Sequence, residues 1–146
     1  MALASISDLH IHETGDRGWK CLERFAEHPL VKSATHIGLL GDIFDLVAGD
    51  HVEYVERHAE FFELLREWCE AGKVVFFAEG PPDLHLTRLF RRASKNWEPA
   101  AQGMLIVLRR DELHQIDGRL VYLGHGDRYN KNDTAYLRYM NFITSK

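Results

Sequence analysis

An aspartate and a histidine stand two positions apart at the end of the first apolar segment, in the run Ser5-Ile6-Ser7-Asp8-Leu9-His10. Residues i and i+2 of an extended chain point to the same side, so Asp8 and His10 are predicted to aim a carboxylate and an imidazole at a common point. An oxygen ligand beside a nitrogen ligand suits a transition metal such as manganese, iron or zinc. An aspartate at a strand end is often only a helix N-cap or a turn former. The metal prediction therefore needs support from the rest of the chain.

The same residue types recur after later apolar segments, at Asp42, Asp45, Asp83, His125 and Asp127. Strand and helix patterns alternate along the chain, and this order predicts an α/β fold with a largely parallel sheet. The carboxyl ends of parallel strands share one edge of the sheet, and ligands bind beyond that edge. We therefore expect these side chains to converge on a single site.

Hydrophobic periodicity predicts the individual helices and strands. The predicted strands cover 2–6, 35–40, 73–78 and 104–108, and a hairpin pairs 112–116 with 119–123 across Asp117-Gly118. Predicted helices cover 17–28, 84–95 and 134–143. The clearest helical stripe runs from Val52 to Cys69; a capping box of Asp50 and Glu53 opens it and Gly72 ends it.

The size and charge of the chain exclude some classes of function. Its 146 residues predict a single domain over 1–146, and a formal net charge of −4 argues against a nucleic-acid partner. No apolar run approaches the ~18 residues of a membrane span, and the N-terminus lacks the features of a signal peptide. Cys21 and Cys69 both fall within predicted helices, so we expect two free thiols in a reducing compartment, the cytoplasm.

The ligand types favour a site with two metal ions. Two metals about 3.5–4 Å apart can clamp the attacking and leaving oxygens of a phosphoryl displacement. Asp42 follows a strand and a glycine, so we assign it as the bridge between both ions. Asp8 and His10 are predicted as further ligands of the first metal and His125 as a ligand of the second. Asp45 and Asp127 are predicted to orient these ligands. Asp42 is predicted to be the catalytic carboxylate, and Asp83 is predicted to support it from nearby.

The remaining histidines and a basic segment have more than one interpretation. Five histidines within or beside predicted elements are expected to be structural or solvated: His28, His36, His51, His58 and His114. His12 and His85 lie near the motifs but outside them, and their roles stay open. Arg88 and Arg91 belong to a basic patch that is either a solvated helix face or a contact for phosphate or anionic lipid.

Three motifs together, Asp8-Leu9-His10, Gly41-Asp42-Ile43-Phe44-Asp45 and Gly124-His125-Gly126-Asp127, resemble those of the calcineurin-like metallophosphoesterases. The resemblance covers essentially the whole chain in the right order. It implies a sandwich of two sheets flanked by helices (αββα) and a binuclear site that hydrolyses phosphomonoesters, phosphodiesters or pyrophosphates.

Within that family, His125-Gly126-Asp127 followed by Asp133 and Tyr136 looks most like the UDP-2,3-diacylglucosamine pyrophosphatase branch of the lipid A pathway. The branch implies manganese as the favoured metal, with iron or zinc as alternatives. It also implies a lipid-linked substrate reached at the inner face of the membrane, so we expect peripheral membrane contact. Asp127, Asp133 and Tyr136, together with Arg88 and Arg91, are the candidate substrate contacts.

The third motif departs from the family pattern. The family has Gly-Asn-His-Asp, or Gly-Asn-Arg-Asp in the lipid A branch, where this chain has Gly80-Pro81-Pro82-Asp83. The resemblance makes the asparagine a ligand of the second metal and the histidine a contact of the reacting phosphate, and proline can replace neither. Further family ligands would lie beyond residue 146. We therefore expect a C-terminally shortened domain whose uncovered apolar surface favours self-association.

Metal-dependent hydrolysis is the function that these observations favour, with metal-bound hydroxide attacking the phosphorus of a UDP-diacylglucosamine-like lipid-linked nucleotide. The first alternative is a soluble phosphodiesterase or phosphomonoesterase. The second is a catalytically impaired scaffold, because Pro81 and Pro82 replace two functional residues of the family motif.

Overall fold

A four-stranded parallel sheet forms the centre of the computed structural model, which describes residues 3–127 and 129–144. Its strands are β1 Leu3–Ile6, β2 His36–Leu40, β4 Val74–Ala78 and β6 Leu105–Leu108. They lie side by side in the order β1-β2-β4-β6, and all three pairings are parallel. A short parallel pair, β3 Val47–Ala48 with β5 Asp83–Leu84, lies outside the main sheet. The parallel sheet predicted from the alternation of elements is confirmed.

Seven helices surround and connect the strands in the described part of the chain. They are α1 Arg17–Glu27, α2 Pro29–Lys32, α3 Val52–Arg57, α4 Ala59–Glu70, α5 Thr87–Ala93, α6 Pro99–Met104 and α7 Thr134–Thr144. The larger core cluster joins apolar residues of α1, α4 and α5 to alternate strand positions such as Ile37, Leu39 and Phe77. Successive side chains of a strand face opposite sides, so these alternate positions all lie on one face of the sheet, and the helices cover that face. Within these residues, no helix is both long enough and apolar enough to cross a membrane.

A β-hairpin covers the opposite face of the sheet. Strands β7 Glu112–Ile116 and β8 Arg119–Leu123 pair antiparallel around Asp117 and Gly118, whose φ angles are 49° and 74°. Two successive positive φ angles are those of the tight turn that the Asp-Gly sequence predicts. Ile116 and Leu123 pack with Phe76 in a second, smaller core cluster. The hairpin prediction is confirmed, while the four-layer sandwich stays a prediction.

The prediction of one long helix between Asp50 and Gly72 is wrong in two respects. The chain forms two helices, α3 and α4, which are separated at His58 (φ −109°, ψ 30°). The capping box is absent, because α3 has His51 at its N-cap without a side-chain hydrogen bond. Asp50 instead accepts two hydrogen bonds from the Arg92 guanidinium, at 2.8 and 2.9 Å. A tertiary ion pair therefore replaces the local cap.

Other boundaries also differ from those predicted. The helix expected over 84–95 is shorter, because Asp83–Leu84 pairs with Val47–Ala48 before α5 begins at Thr87. Helices α2 and α6 and strands β3 and β5 were not predicted. Cys21 is exposed and Cys69 is buried, and both are free thiols as expected. The expected strand start at Ala2 and the chain end at Ser145-Lys146 lie outside the described residues.

Candidate metal centre

The loops that follow β1 and β2 run side by side and carry the candidate ligands. The amide of Asp8 donates to the Gly41 carbonyl at 3.1 Å, and the amide of His10 donates to the Asp42 carbonyl at 3.0 Å. The bridge between Ile11 and Phe44 continues this parallel alignment. The backbone pairing of the sheet thus extends beyond the strands and fixes the separation of the two loops.

Three of the candidate ligands have left-handed backbone conformations. The φ angles are 56° at Asp8, 50° at His10 and 52° at Asp42. The prediction that an extended segment aligns Asp8 with His10 is therefore wrong in its backbone geometry, although the two side chains still converge. Positive φ is uncommon for residues other than glycine, and such strain persists where the surrounding structure holds it in place and often marks a functional site.

The side chains of Asp8, His10 and Asp42 each bring one ligand atom into a cluster in which these atoms lie within 4.8 Å of one another. His125 approaches the same group from the loop after β8, with its Nε2 3.4 Å from Asp42 Oδ1. His10 Nε2 lies 4.0 Å from the other oxygen, Asp42 Oδ2. The structure therefore places one imidazole near each oxygen of Asp42.

His125 is held in a defined orientation. Its Nδ1 lies 2.9 Å from the Leu40 carbonyl oxygen. A carbonyl can only accept, so Nδ1 carries the proton and Nε2 faces Asp42. Two glycines make room for this arrangement. A Cβ on Gly41 would lie 2.4 Å from the His125 ring, and a Cβ on Gly80 would lie 2.1 Å from Asp42 Oδ1.

The electrostatics of Asp42 fit a bound cation. Burial raises the pKa of this carboxyl group, while the nearby His125 and His10 act in the opposite direction. Its Oδ1 is buried and has no hydrogen-bond partner among the described residues. A buried acceptor left without a partner is costly, and here it faces Nε2 of His125 at 3.4 Å. A metal ion between the two atoms would satisfy both lone pairs, so these residues fit a divalent cation.

Asp83 holds the loop that carries Asp42. This fully buried carboxylate accepts hydrogen bonds from the amides of Ile43 and Phe44 at 2.9 and 3.0 Å. Burial raises the pKa of Asp83 to about 7, although these backbone hydrogen bonds favour the ionised form. Asp83 is therefore placed to position Asp42 through the two residues that follow it in the chain, and it does not join the ligand cluster.

The two prolines form a tight turn beside Asp42. The Asp83 amide donates to the Gly80 carbonyl at 2.9 Å across Pro81 and Pro82. The Pro82 carbonyl in turn accepts from the amide of Val47 at 2.9 Å. The turn thus keeps the backbone close to the loop that carries Asp42, and its two proline side chains offer no metal ligand.

The remaining predicted site residues lie at the margin of the cluster. Asp45 is exposed, and its carboxylate lies 3.5 Å from His12 Nδ1. Asp127 accepts a hydrogen bond from the Tyr136 hydroxyl at 2.9 Å. Asp133 accepts from the Tyr136 amide at 3.0 Å, as an N-terminal cap of α7 does. The structure therefore brings Asp127 and Tyr136 together and gives Asp133 a helix-capping contact.

Arg88 and Arg91 line a cleft of about 640 Å³. Arg109 and His85 line the same cleft. Arg109 is not among the residues predicted from the sequence, although it follows β6 as the metal-ligand candidates follow other strands. That position after a strand of the parallel sheet is the signal that could have identified it.

Sequence comparisons agree with the motif resemblance. A protein from Neisseria gonorrhoeae named UDP-2,3-diacylglucosamine hydrolase is 29% identical over 138 residues, which are 94% of this chain and 53% of the relative. Proteins of the same name from Neisseria meningitidis serogroup A and Ralstonia nicotianae are 28% identical over 141 residues, 97% of this chain and 55% and 49% of the relatives. This chain is similar to UDP-2,3-diacylglucosamine hydrolases.

The similarity confirms the predicted resemblance to the lipid A branch. It extends along nearly the whole chain, but the chain spans only about half the length of the curated relatives it matches. No protein-family model matches the sequence.

Proposed function

We propose that this chain is a metal-dependent hydrolase that cleaves the pyrophosphate bond of a UDP-2,3-diacylglucosamine-like substrate. The observation that carries the proposal is the position of Asp42, whose two carboxylate oxygens each lie near one imidazole. The names of the similar proteins supply the substrate class.

The proposed site takes two divalent ions, with manganese favoured and iron or zinc as alternatives. Asp8, His10 and Asp42 would hold the first, and Asp42 and His125 the second. Bound metals of this kind supply an activated water near neutral pH and neutralise charge that develops on phosphate oxygens.

The chain's own residues have distinct parts in this proposal. The Leu40 carbonyl keeps His125 Nε2 directed at Asp42, and Asp83 fixes the loop that carries Asp42. Asp127, hydrogen-bonded to Tyr136, lines the crevice next to His125 and is a candidate substrate contact. A lipid-linked substrate would place the protein at the inner face of the membrane.

A catalytically silent binding scaffold is the second candidate function. It is favoured by the turn at Pro81 and Pro82, which lies beside Asp42 but provides no ligand or hydrogen-bond donor from its side chains. In this case the domain would bind one metal through Asp8, His10 and Asp42 and would turn over no substrate.

The two candidates are separated by an activity assay. Detergent-solubilised UDP-2,3-diacylglucosamine is incubated with the purified chain and Mn²⁺, and release of uridine monophosphate is measured beside an aryl phosphate and an aryl phosphodiester. Our proposal predicts turnover of the lipid substrate that Asp42→Asn abolishes and that Asp117→Asn, at an exposed residue of the hairpin turn, retains. Preferential turnover of the aryl compounds would favour a soluble phosphoesterase, and absence of turnover would favour the scaffold.

A further inference from the structure

Arg109 connects the candidate metal centre to the basic cleft. It follows β6, where the Glu79 amide donates to the Leu108 carbonyl at 2.9 Å and so aligns the loops after β4 and β6. Arg109 lines the crevice that also contains Gly80, His125 and Asp127. It also lines the cleft with Arg88 and Arg91. Arg109 therefore lines both recesses.

The cleft has an excess of positive charge. Three arginines and His85 line it against a single carboxylate, that of Asp50. Arg92 already engages that carboxylate through two hydrogen bonds. Among the described residues, Arg88, Arg91 and Arg109 form no ion pair. Guanidinium groups without a carboxylate partner suit phosphate oxygens, which they bind through two parallel hydrogen bonds.

The immediate surroundings of Arg109 leave its charge available. Its Nη2 lies 3.4 Å from Nδ1 of His85, a residue with a φ of 58° in the loop after β5. Burial raises the pKa of Glu79, and the positive charge of Arg109 is one of the influences that oppose that rise. The Glu79 carboxylate is engaged elsewhere, accepting a hydrogen bond from the Leu86 amide at 2.7 Å.

We propose that Arg109, held in place by its contact with His85, is the cation that contacts the diphosphate group of the substrate. The substrate then extends into the cleft that Arg88 and Arg91 line. This inference rests on the proposed function for its substrate class. It assigns to the loop after β6 the phosphate contact that Pro82 cannot make. The geometry also gives a direction to the substrate, from the metal cluster past Arg109 into the cleft.

Binding of inorganic pyrophosphate to the metal-stripped protein in EDTA tests the proposal without requiring catalysis. We expect Arg109→Gln to weaken pyrophosphate binding about ten-fold, the usual effect of losing one charge-assisted contact. Arg109→Lys should recover part of the affinity. Arg119→Gln is the matched control, because Arg119 is exposed next to the hairpin turn, away from both recesses. Circular dichroism confirms that each variant is folded.

The outcomes separate this proposal from the proposed function. Pyrophosphate affinity that is undetectable, or that Arg109→Gln leaves unchanged, overturns the role of Arg109 even if the chain hydrolyses UDP-2,3-diacylglucosamine. Affinity that depends on Arg109 in a chain without hydrolytic activity supports the anion site and overturns the hydrolase proposal. If both hold, Arg109→Gln should raise the KM of the lipid substrate at least as strongly as it lowers kcat.

Discussion

At the scale of single residues, the buried carboxylate of Asp83 stabilises the loop that carries Asp42. It accepts two backbone hydrogen bonds from Ile43 and Phe44. Asp83→Asn retains the shape but offers only one oxygen acceptor, so one buried amide loses its partner. We expect the free energy of unfolding to fall by about 1–3 kcal/mol and the affinity for Mn²⁺ to fall by about ten-fold or more.

Urea denaturation and Mn²⁺ titration calorimetry measure these two effects. Asp133→Asn is the control, because Asp133 is exposed and asparagine caps a helix as well as aspartate does. An Asp83→Asn variant with the Mn²⁺ affinity of the unaltered chain would show that Asp83 has no positioning role.

The residue types of the cluster could be predicted from the sequence because each candidate ligand directly follows an apolar strand. Asp8, His10, Asp42 and His125 were identified in this way, and the structure brings them together. Their left-handed φ angles could not be predicted, since these depend on backbone pairing between two loops far apart in sequence.

At the scale of elements, the break between α3 and α4 places His58 in the core. His58 is 3% exposed, and the centroid of its ring lies 4.5 Å from that of the Phe44 ring. Burial lowers the pKa of His58 from 6.5 to about 4. The unfolded chain therefore binds a proton between these pH values that the folded chain does not, and stability falls as the pH falls through this range.

This shift predicts that His58 contributes a loss of about 2 kcal/mol in the free energy of unfolding between pH 7 and pH 5. Urea denaturation at both pH values measures it, and His58→Leu should reduce the difference by that amount. His36→Leu serves as a control at a half-buried histidine. An unchanged pH dependence in His58→Leu would contradict a buried neutral imidazole.

The turn at Pro81 and Pro82 gives a second prediction at this scale. Pro81→Asn with Pro82→His introduces an amide oxygen and an imidazole beside Asp42, so we expect tighter binding of a second Mn²⁺ per chain. The loss of two prolines should lower the free energy of unfolding, by about 0.4–1 kcal/mol for each. Calorimetric titration with Mn²⁺ gives the stoichiometry, and unchanged Mn²⁺ binding would show that the turn does not limit the second metal.

Local sequence signals predicted the elements where tertiary contacts agreed with them. The hairpin at Asp117-Gly118 formed as its turn residues indicate. Asp50 does not form the predicted capping box, because Arg92, which is 42 residues away, offers a stronger partner for its carboxylate. Pairings of that range have no local signature in a single sequence.

At the scale of the whole molecule, exposed apolar side chains extend over the outer surface of the hairpin. Leu113 is 63% exposed, Leu120 75% and Tyr122 50%. A contiguous apolar surface favours association, so we expect this chain to self-associate at micromolar concentration. Size-exclusion chromatography with light scattering measures the mass. Leu113→Lys with Leu120→Lys should shift the chain toward the monomer of 16.9 kDa, and an unaltered chain that is already monomeric would contradict the prediction.

The metal content of the purified chain tests the central claim most directly, namely that Asp42 joins a divalent-metal site at the edge of the sheet. Elemental analysis should find about two atoms of manganese, iron or zinc per chain. Asp42→Asn should lose them, and Asp117→Asn, at an exposed carboxylate in the hairpin turn, should keep them. A chain that contains no metal after incubation with these ions, or whose metal content Asp42→Asn leaves unchanged, would contradict the account.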